Sequence, residues 1–369
     1  MTNQRTLVNI ENNNNLSGKY PLFLGDALGF ADTVNVTYPK LSEWYEEQMG
    51  QFWRETEFSL EQDKIDIKEA DPKERDVMIH NLVSQWLLDS VASRSILETI
   101  APFTTNSEML SCLTAWTMFE EIHARAYSFI ARQCFEDPNV VIQESKKNIN
   151  VAYRSAIIGT VFNQTNQMAA KYTQGLDVSP ADLRRQLVKT FAALYSLEAV
   201  SFMASFACTF ALVETGRYQG IGNEITSIQR DEVLHAKLDR IVLDIMLNQE
   251  GYAREFNEVK DEVRYIFDEV IRQEFSWAEY IFSEGRRAVG LTTDLLKDYV
   301  RYLGKPMYDR LGIYWDEQEF GVPPKTNPLP YMDKYLSPDQ IQAAAQEIEI
   351  TNYRVGSLSN DIGEEDFDF

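Results

Sequence analysis

Between about Leu41 and Gly290, apolar side chains return every three or four residues in long segments with few prolines. At about 3.6 residues per turn that spacing gathers them on one face, so the pattern predicts about eight helices packed as a bundle. Alternating apolar and polar runs, the mark of half-buried strands, are weak throughout. Asp71 before Pro72 and Ser179 before Pro180 read as helix starts, and Asp137-Pro138 closes a long helix. Ahead of the bundle, an Asn run at Asn12 to Asn15 and turn residues Gly18, Pro21, Gly25 and Gly29 predict an irregular arm over residues 1–40 that wraps the core. Behind it, Asn327 to Leu336 reads as a loop leading into an amphipathic turn. From Glu347 onwards seven acidic residues face one basic residue, so residues 337–369 are expected to form a flexible acidic tail. The expected architecture is all-α, with the helical domain over residues 41–336.

Composition narrows the class. With 369 residues, 44% of them hydrophobic, the chain can bury a large core. A formal charge of -22 repels a phosphate backbone, which argues against a nucleic-acid partner and favours cations and basic protein surfaces. No uninterrupted apolar stretch approaches the roughly 18 residues of a membrane span, and the polar start MTNQRTLVNIENNNN is unlike a signal sequence, so the chain reads as cytoplasmic. Cys112, Cys134 and Cys208 lie in apolar helical segments without C-x-x-C spacing and read as small buried hydrophobes.

Candidate chemistry sits in the histidines. There are three, and two follow a glutamate at the third position: Glu120-x-x-His123 and Glu232-x-x-His235. A given histidine has such a neighbour by chance about once in fifteen, so two of three is informative. A step of three returns to nearly the same helix face, where carboxylate and imidazole can converge on one ion. Each motif is also preceded by an acid embedded in an apolar helix, Asp89 in QWLLDSV and Glu198 in LYSLEAV. Four carboxylates and two imidazoles facing a bundle interior are the ligand set of ferritin-like dimetal carboxylate proteins. Oxygen-rich donors with one imidazole per ion suit iron or manganese better than zinc. His80 falls about half a turn out of phase with Asp89 and reads as structural or solvated, and Glu121 is placed to pair with Arg125 on the helix flank. Tyr127 continues the stripe of Glu120 and His123 and is a candidate for one-electron oxidation. A dimetal ligand set alone fits iron stores, hydroxylases, desaturases and radical generators alike.

Leu87-Leu88-Asp89-Ser90, Trp116-x3-Glu120-x2-His123-x3-Tyr127, Leu197-Glu198-Ala199 and Arg230-Asp231-Glu232-x2-His235 resemble the small subunit of class I ribonucleotide reductase. The likeness also takes in Tyr20-Pro21-Leu22-Phe23, Phe52-Trp53-Arg54, Ser205-Phe206-Ala207-Cys208, and Gln346-Glu347-Ile348-Glu349 followed by Tyr353. It implies a ferritin-like fold in which two irons, or manganese in some branches, are bound by Asp89, Glu120, His123, Glu198, Glu232 and His235. It further implies that oxygen chemistry at the metals leaves a stable radical on Tyr127, in an apolar pocket that matches Phe202, Phe206 and Ile228. The oxidising equivalent would pass by Trp53, Asp231 and His123 and leave through Tyr353, with Glu347 at the subunit boundary. The implied partners are a large subunit docked on the tail and a second copy of the chain.

Overall fold

The structure is a computed structural model that describes residues 9–336, residue 147 excepted. The arm carries one helical turn, α1 (Asn14–Ser17), and is pinned to the core further on. Tyr20, Leu22 and Phe23 are buried, Leu22 donates its amide to Glu250 at 2.7 Å, and Phe23 forms an isolated bridge with Thr104. Then come α2 (Pro39–Met49), α3 (Glu61–Glu69), and the long pair α4 (Pro72–Thr99) and α5 (Ser107–Cys134). Three shorter helices follow, α6 (Pro138–Lys146), α7 (Ile149–Arg154) and α8 (Ala156–Thr173). The centre is α9 (Pro180–Ser196), which runs through a π-helical turn (Leu197–Phe202) into α10 (Met203–Val213), and beside it lie α11 (Gln219–Asn248) and α12 (Ala253–Ile281). The chain closes with α13 (Thr293–Arg310), α14 (Glu317–Phe320) and α15 (Met332–Leu336). Among the described residues there is no strand, only the bridge already named and a second at Ala288 and Leu291.

Local chemistry accounts for the boundaries. Asp71 caps α4 by accepting the Lys73 amide at 2.9 Å, ahead of Pro72 at the first helical position. Pro180 opens α9, and α5 ends at Cys134 just before Asp137-Pro138. Where periodicity predicts about eight helices between Leu41 and Gly290, ten α-helices are present among the described residues, counting α9 to α10 as one. The extra ones, such as α3 and α7, are too short to show a repeat. Pro180–Val213 is long and apolar enough to cross a membrane by length and composition, yet 94% of its most apolar window is buried, as befits the central helix of a bundle. The three cysteines are free and buried.

The start of α11, the helix that brings three site residues, is fixed by a close approach to α3. Asp63 accepts the amides of Gly220 at 3.2 Å and Ile221 at 2.8 Å, satisfying two of the donors a helix N-terminus leaves open. A Cβ on Gly220 would stand 2.3 Å from the Ser59 carbonyl oxygen, so only glycine admits this packing.

Candidate metal centre

Four helical segments aim their acids at one point. Asp89 comes from α4, Glu120 and His123 from α5, Glu198 from the π-helical turn, and Glu232 and His235 from α11, and all six are fully buried. They form two groups, Asp89, Glu120, His123 and Glu232, and Glu120, Glu198, Glu232 and His235, in each of which the potential ligand atoms lie within 4.8 Å of one another. Glu120 and Glu232 belong to both, as carboxylates that bridge two ions would. Sequence spacing suggested one acid and one Glu-x-x-His per ion; the sharing of two glutamates appears only when the helices pack.

Both imidazoles turn Nδ1 towards the acids. His123 Nδ1 lies 3.0 Å from Glu232 Oε1 and 3.5 Å from Asp89 Oδ1, while His235 Nδ1 lies 2.6 Å from Glu232 Oε2 and 3.2 Å from Glu120 Oε1. Burial alone would depress both imidazoles, but the Glu232 carboxylate between them outweighs it and raises them, His235 to about 9. Burial would likewise raise Glu232, and the two imidazoles pull it down instead. Asp89 and Glu198 are pushed well above the usual carboxylate range, first by burial and then by the neighbouring glutamates. Neither oxygen of either residue has a hydrogen-bond donor. Buried carboxylates left in this state are costly unless a cation joins them. The donor set of four carboxylates and two imidazoles therefore fits a pair of oxygen-preferring divalent ions.

Outer contacts hold the ligands in place. Asp231, fully buried on α11, lies 3.0 Å from His123 Nε2 and accepts Trp53 Nε1 at 2.8 Å and Gln48 Nε2 at 2.9 Å. Trp53 stacks on His123 with ring centres 6.2 Å apart and planes 22° apart. Trp53 also borders a surface groove of about 770 Å³ with Phe52, Arg54, Glu55, Met118 and Arg125, and none of the six acids and imidazoles lines it. On the other side Trp116 donates to Glu120 at 2.8 Å. The π-helical turn is gripped by Arg154, which donates to the Ser201 carbonyl at 2.9 Å and to both oxygens of Glu274 at 2.8 and 2.7 Å. A widened turn of this kind often marks a functional site, and here it carries Glu198.

Tyr127 stands one turn beyond His123 and is 2% exposed, with no hydrogen-bond partner at its hydroxyl. Burial first, and then the Asp89 charge, raise its pKa and keep the phenol proton in place. It borders a void of about 10 Å³ whose walls include Leu82, Val83, Trp86, Ile130 and Phe135, from α4, α5 and the residue that follows. Sequence reasoning missed these neighbours, although Trp86 lies three residues from Asp89. Phe202, Phe206 and Ile228 are fully buried on the π turn, α10 and α11, and the first two stack with ring centres 5.9 Å apart. His80 is half-buried and packs edge-on to Tyr280 at 5.5 Å, away from the acids. Arg125 does not depend on Glu121: it pairs with Glu55, 3.0 Å away, because a short 3-10 turn (Glu55–Glu57) lies over the flank of α5 and offers a buried carboxylate. Tyr353 and Glu347 lie outside the described residues.

A family model described as ribonucleotide reductase, small chain, matches residues 31–328. The chain belongs to this family. The ribonucleoside-diphosphate reductase subunit beta of Haemophilus influenzae is 30% identical over 370 residues, covering 96% of this chain and 97% of that one. Among solved structures, the ribonucleotide reductase R2 subunit from Clostridium botulinum superposes with a TM-score of 0.71 at 21% identity, over 82% of this chain and 90% of its own. A dimanganese(II) protein from Streptococcus sanguinis, NrdF, does so with a TM-score of 0.66 at 16% identity, over 83% and 98%. At such identities these structural likenesses speak to the ferritin-like fold. The small chain of a ribonucleotide reductase works as one part of a complex, and the buried acid and imidazole cluster fits the dimetal site of that family.

Proposed function

We propose that this small chain generates and stores a tyrosyl radical at Tyr127 and delivers its oxidising equivalent to a large subunit, which reduces ribonucleoside diphosphates. The observation that carries the reading is the placement of a sealed, unpartnered Tyr127 hydroxyl beside Asp89 of the metal cluster. Asp89, Glu120, His123, Glu198, Glu232 and His235 would hold two iron ions, with manganese as the alternative, and the bound metals supply the oxidation of Tyr127 with dioxygen as oxidant. Tyr127 gives up an electron and its phenol proton, and Asp89 is the carboxylate placed to accept that proton. The apolar walls around the ring, with Phe202, Phe206 and Ile228 as further buried positions, keep water and reductants away.

Delivery uses the Asp231 junction. Its carboxylate touches both His123 and the Trp53 indole, so Trp53 is coupled to the metal cluster on one side and borders the surface groove on the other. Tyr353 and Glu347 would continue the route in the acidic tail, which docks on the large subunit, and two copies of the chain would form the small-subunit dimer. An iron store or an oxygenase has no use for this junction. The test is turnover of the full-length protein with its large subunit. Tyr353→Phe, and a chain ending at Leu336, should keep metal and radical but lose nucleotide reduction; full turnover by either would overturn the proposed exit route.

A further inference from the structure

The two imidazoles of the cluster are not equally supported. His123 presents Nδ1 to the acids and its opposite nitrogen, Nε2, to Asp231. His235 also presents Nδ1 to the acids, but its Nε2 is buried and has no hydrogen-bond partner. Once a metal takes the Nδ1 lone pair, the proton of the neutral ring must sit on Nε2, and a buried N–H needs an acceptor. The two large rings beside His235 supply none. Trp116, with its centre 5.1 Å away, spends its N–H on Glu120, and Trp44, 6.4 Å away, spends its own on the Leu234 carbonyl.

Asp239 lies four residues beyond His235 on α11, hence on the same stripe one turn along. It is fully buried, both its oxygens lack a donor, and it stands outside both groups of potential ligands. Burial holds its carboxyl well above the usual carboxylate range, and of the charged groups near it His235, ahead of Arg240, is the one that most favours its ionised form. Two orphaned groups of complementary chemistry, buried one turn apart, are otherwise unexplained.

We infer that Asp239 is the positioning residue for His235: the two groups are not hydrogen-bonded in this structure, and with a metal on Nδ1 a rotation of the Asp239 carboxylate lets it accept Nε2–H and fix the ring for the second metal, the role that a 3.0 Å contact suits Asp231 to at His123. The inference rests on the dimetal reading and extends it to a residue that touches neither the metals nor Tyr127. Outer carboxylates of this kind typically contribute about 10- to 100-fold to metal affinity.

The experiment is anaerobic titration of the full chain with Mn²⁺, with free Mn²⁺ followed by electron paramagnetic resonance. Wild type should bind two ions per chain. Asp239→Leu should weaken one of the two sites by about 10- to 100-fold and leave the other unchanged. Asp239→Asn keeps shape and a neutral acceptor, which is about half as strong as a charged one, so its loss should be smaller; it also serves if the leucine variant folds poorly. In a Glu198→Ala background, which disables the second site directly, Asp239→Leu should change nothing at the site that remains. Identical titrations for wild type and both Asp239 variants, or equal weakening of both sites, would overturn the role of Asp239 while leaving the dimetal reading intact. Fewer than two ions bound by wild type would overturn both.

Discussion

Replacing Asp231 by alanine removes one carboxylate and orphans three buried donors at once. His123 Nε2, Trp53 Nε1 and Gln48 Nε2 all reach it at 2.8 to 3.0 Å, from α5, the loop after α2, and α2. A buried donor without an acceptor costs about 1–3 kcal/mol, and hydrogen bonds to a charged group lie at the upper end. The three share one acceptor, so their losses do not add in full. The expected destabilisation is about 3–5 kcal/mol, as for removal of one member of a buried charged pair. Because the same carboxylate fixes the ring whose other nitrogen faces Glu232 and Asp89, metal affinity at that site should also fall, by about 10- to 100-fold. Guanidinium unfolding of the metal-free protein measures the first quantity, and Mn²⁺ titration measures the second. Gln48→Ala, which removes a single neutral donor and leaves Asp231 bonded to Trp53, should cost no more than about 3 kcal/mol and spare the metal site. If Asp231→Ala unfolds within about 0.5 kcal/mol of wild type, as an ordinary surface change would, and binds metal unchanged, the junction between Trp53 and His123 has no energetic reality.

Two further perturbations probe buried charge elsewhere. Burial, reinforced by Asp63 and Glu55, pushes Glu224 from 4.5 up to about 9. Between those values the folded state holds a proton that the unfolded chain has released, so stability falls as pH rises through this window. Glu224→Gln removes the effect, and its stability advantage over wild type should grow from pH 5 to pH 9 by at most about 1.4 kcal/mol per pH unit; unfolding curves that keep a constant offset across that range would contradict it. Arg154 and Glu274 form a buried pair, 2.7 Å apart, with the guanidinium 4.7 Å from the centre of the Trp277 ring. Arg154→Met alone should cost about 3–5 kcal/mol by leaving Glu274 uncompensated, whereas Arg154→Met with Glu274→Leu should recover most of it. Equal losses in the single and double variants would show that the pair is not the source.

The parts of this molecule that could be read from its sequence are those written at short range. Glu120 and His123, and Glu232 and His235, are legible because a helix turns a spacing of three into a shared face. Asp71 and Pro72 announce a helix start for an equally local reason. The sharing of Glu120 and Glu232 between two ligand groups depends on the packing of four segments, and no spacing encodes it. Arg154 and Glu274 are 120 residues apart, and Trp53 and Asp231 are 178 apart; the second pair came from family likeness and not from any pattern in the chain. The π-helical turn at Leu197–Phe202 carries neither proline nor glycine, so nothing local signals it. Arg125 illustrates the opposite error, since a plausible neighbour four residues away loses to Glu55, which only the fold brings near. Asp239 was visible one turn past His235 all along, but a single acid on a helix gains meaning only once it is found buried without a donor.

The central claim is that the buried cluster and Tyr127 form one functional unit. Its most direct test is metal analysis with electron paramagnetic resonance on metal-free full-length protein that is loaded anaerobically with ferrous iron and then exposed to oxygen, with Tyr127→Phe alongside. About two irons per chain in both proteins, as the paired ligand set requires, with a tyrosyl signal in wild type that is absent from Tyr127→Phe, is the predicted result. Iron bound without an organic radical in wild type, or a radical that persists unchanged in Tyr127→Phe, would contradict it.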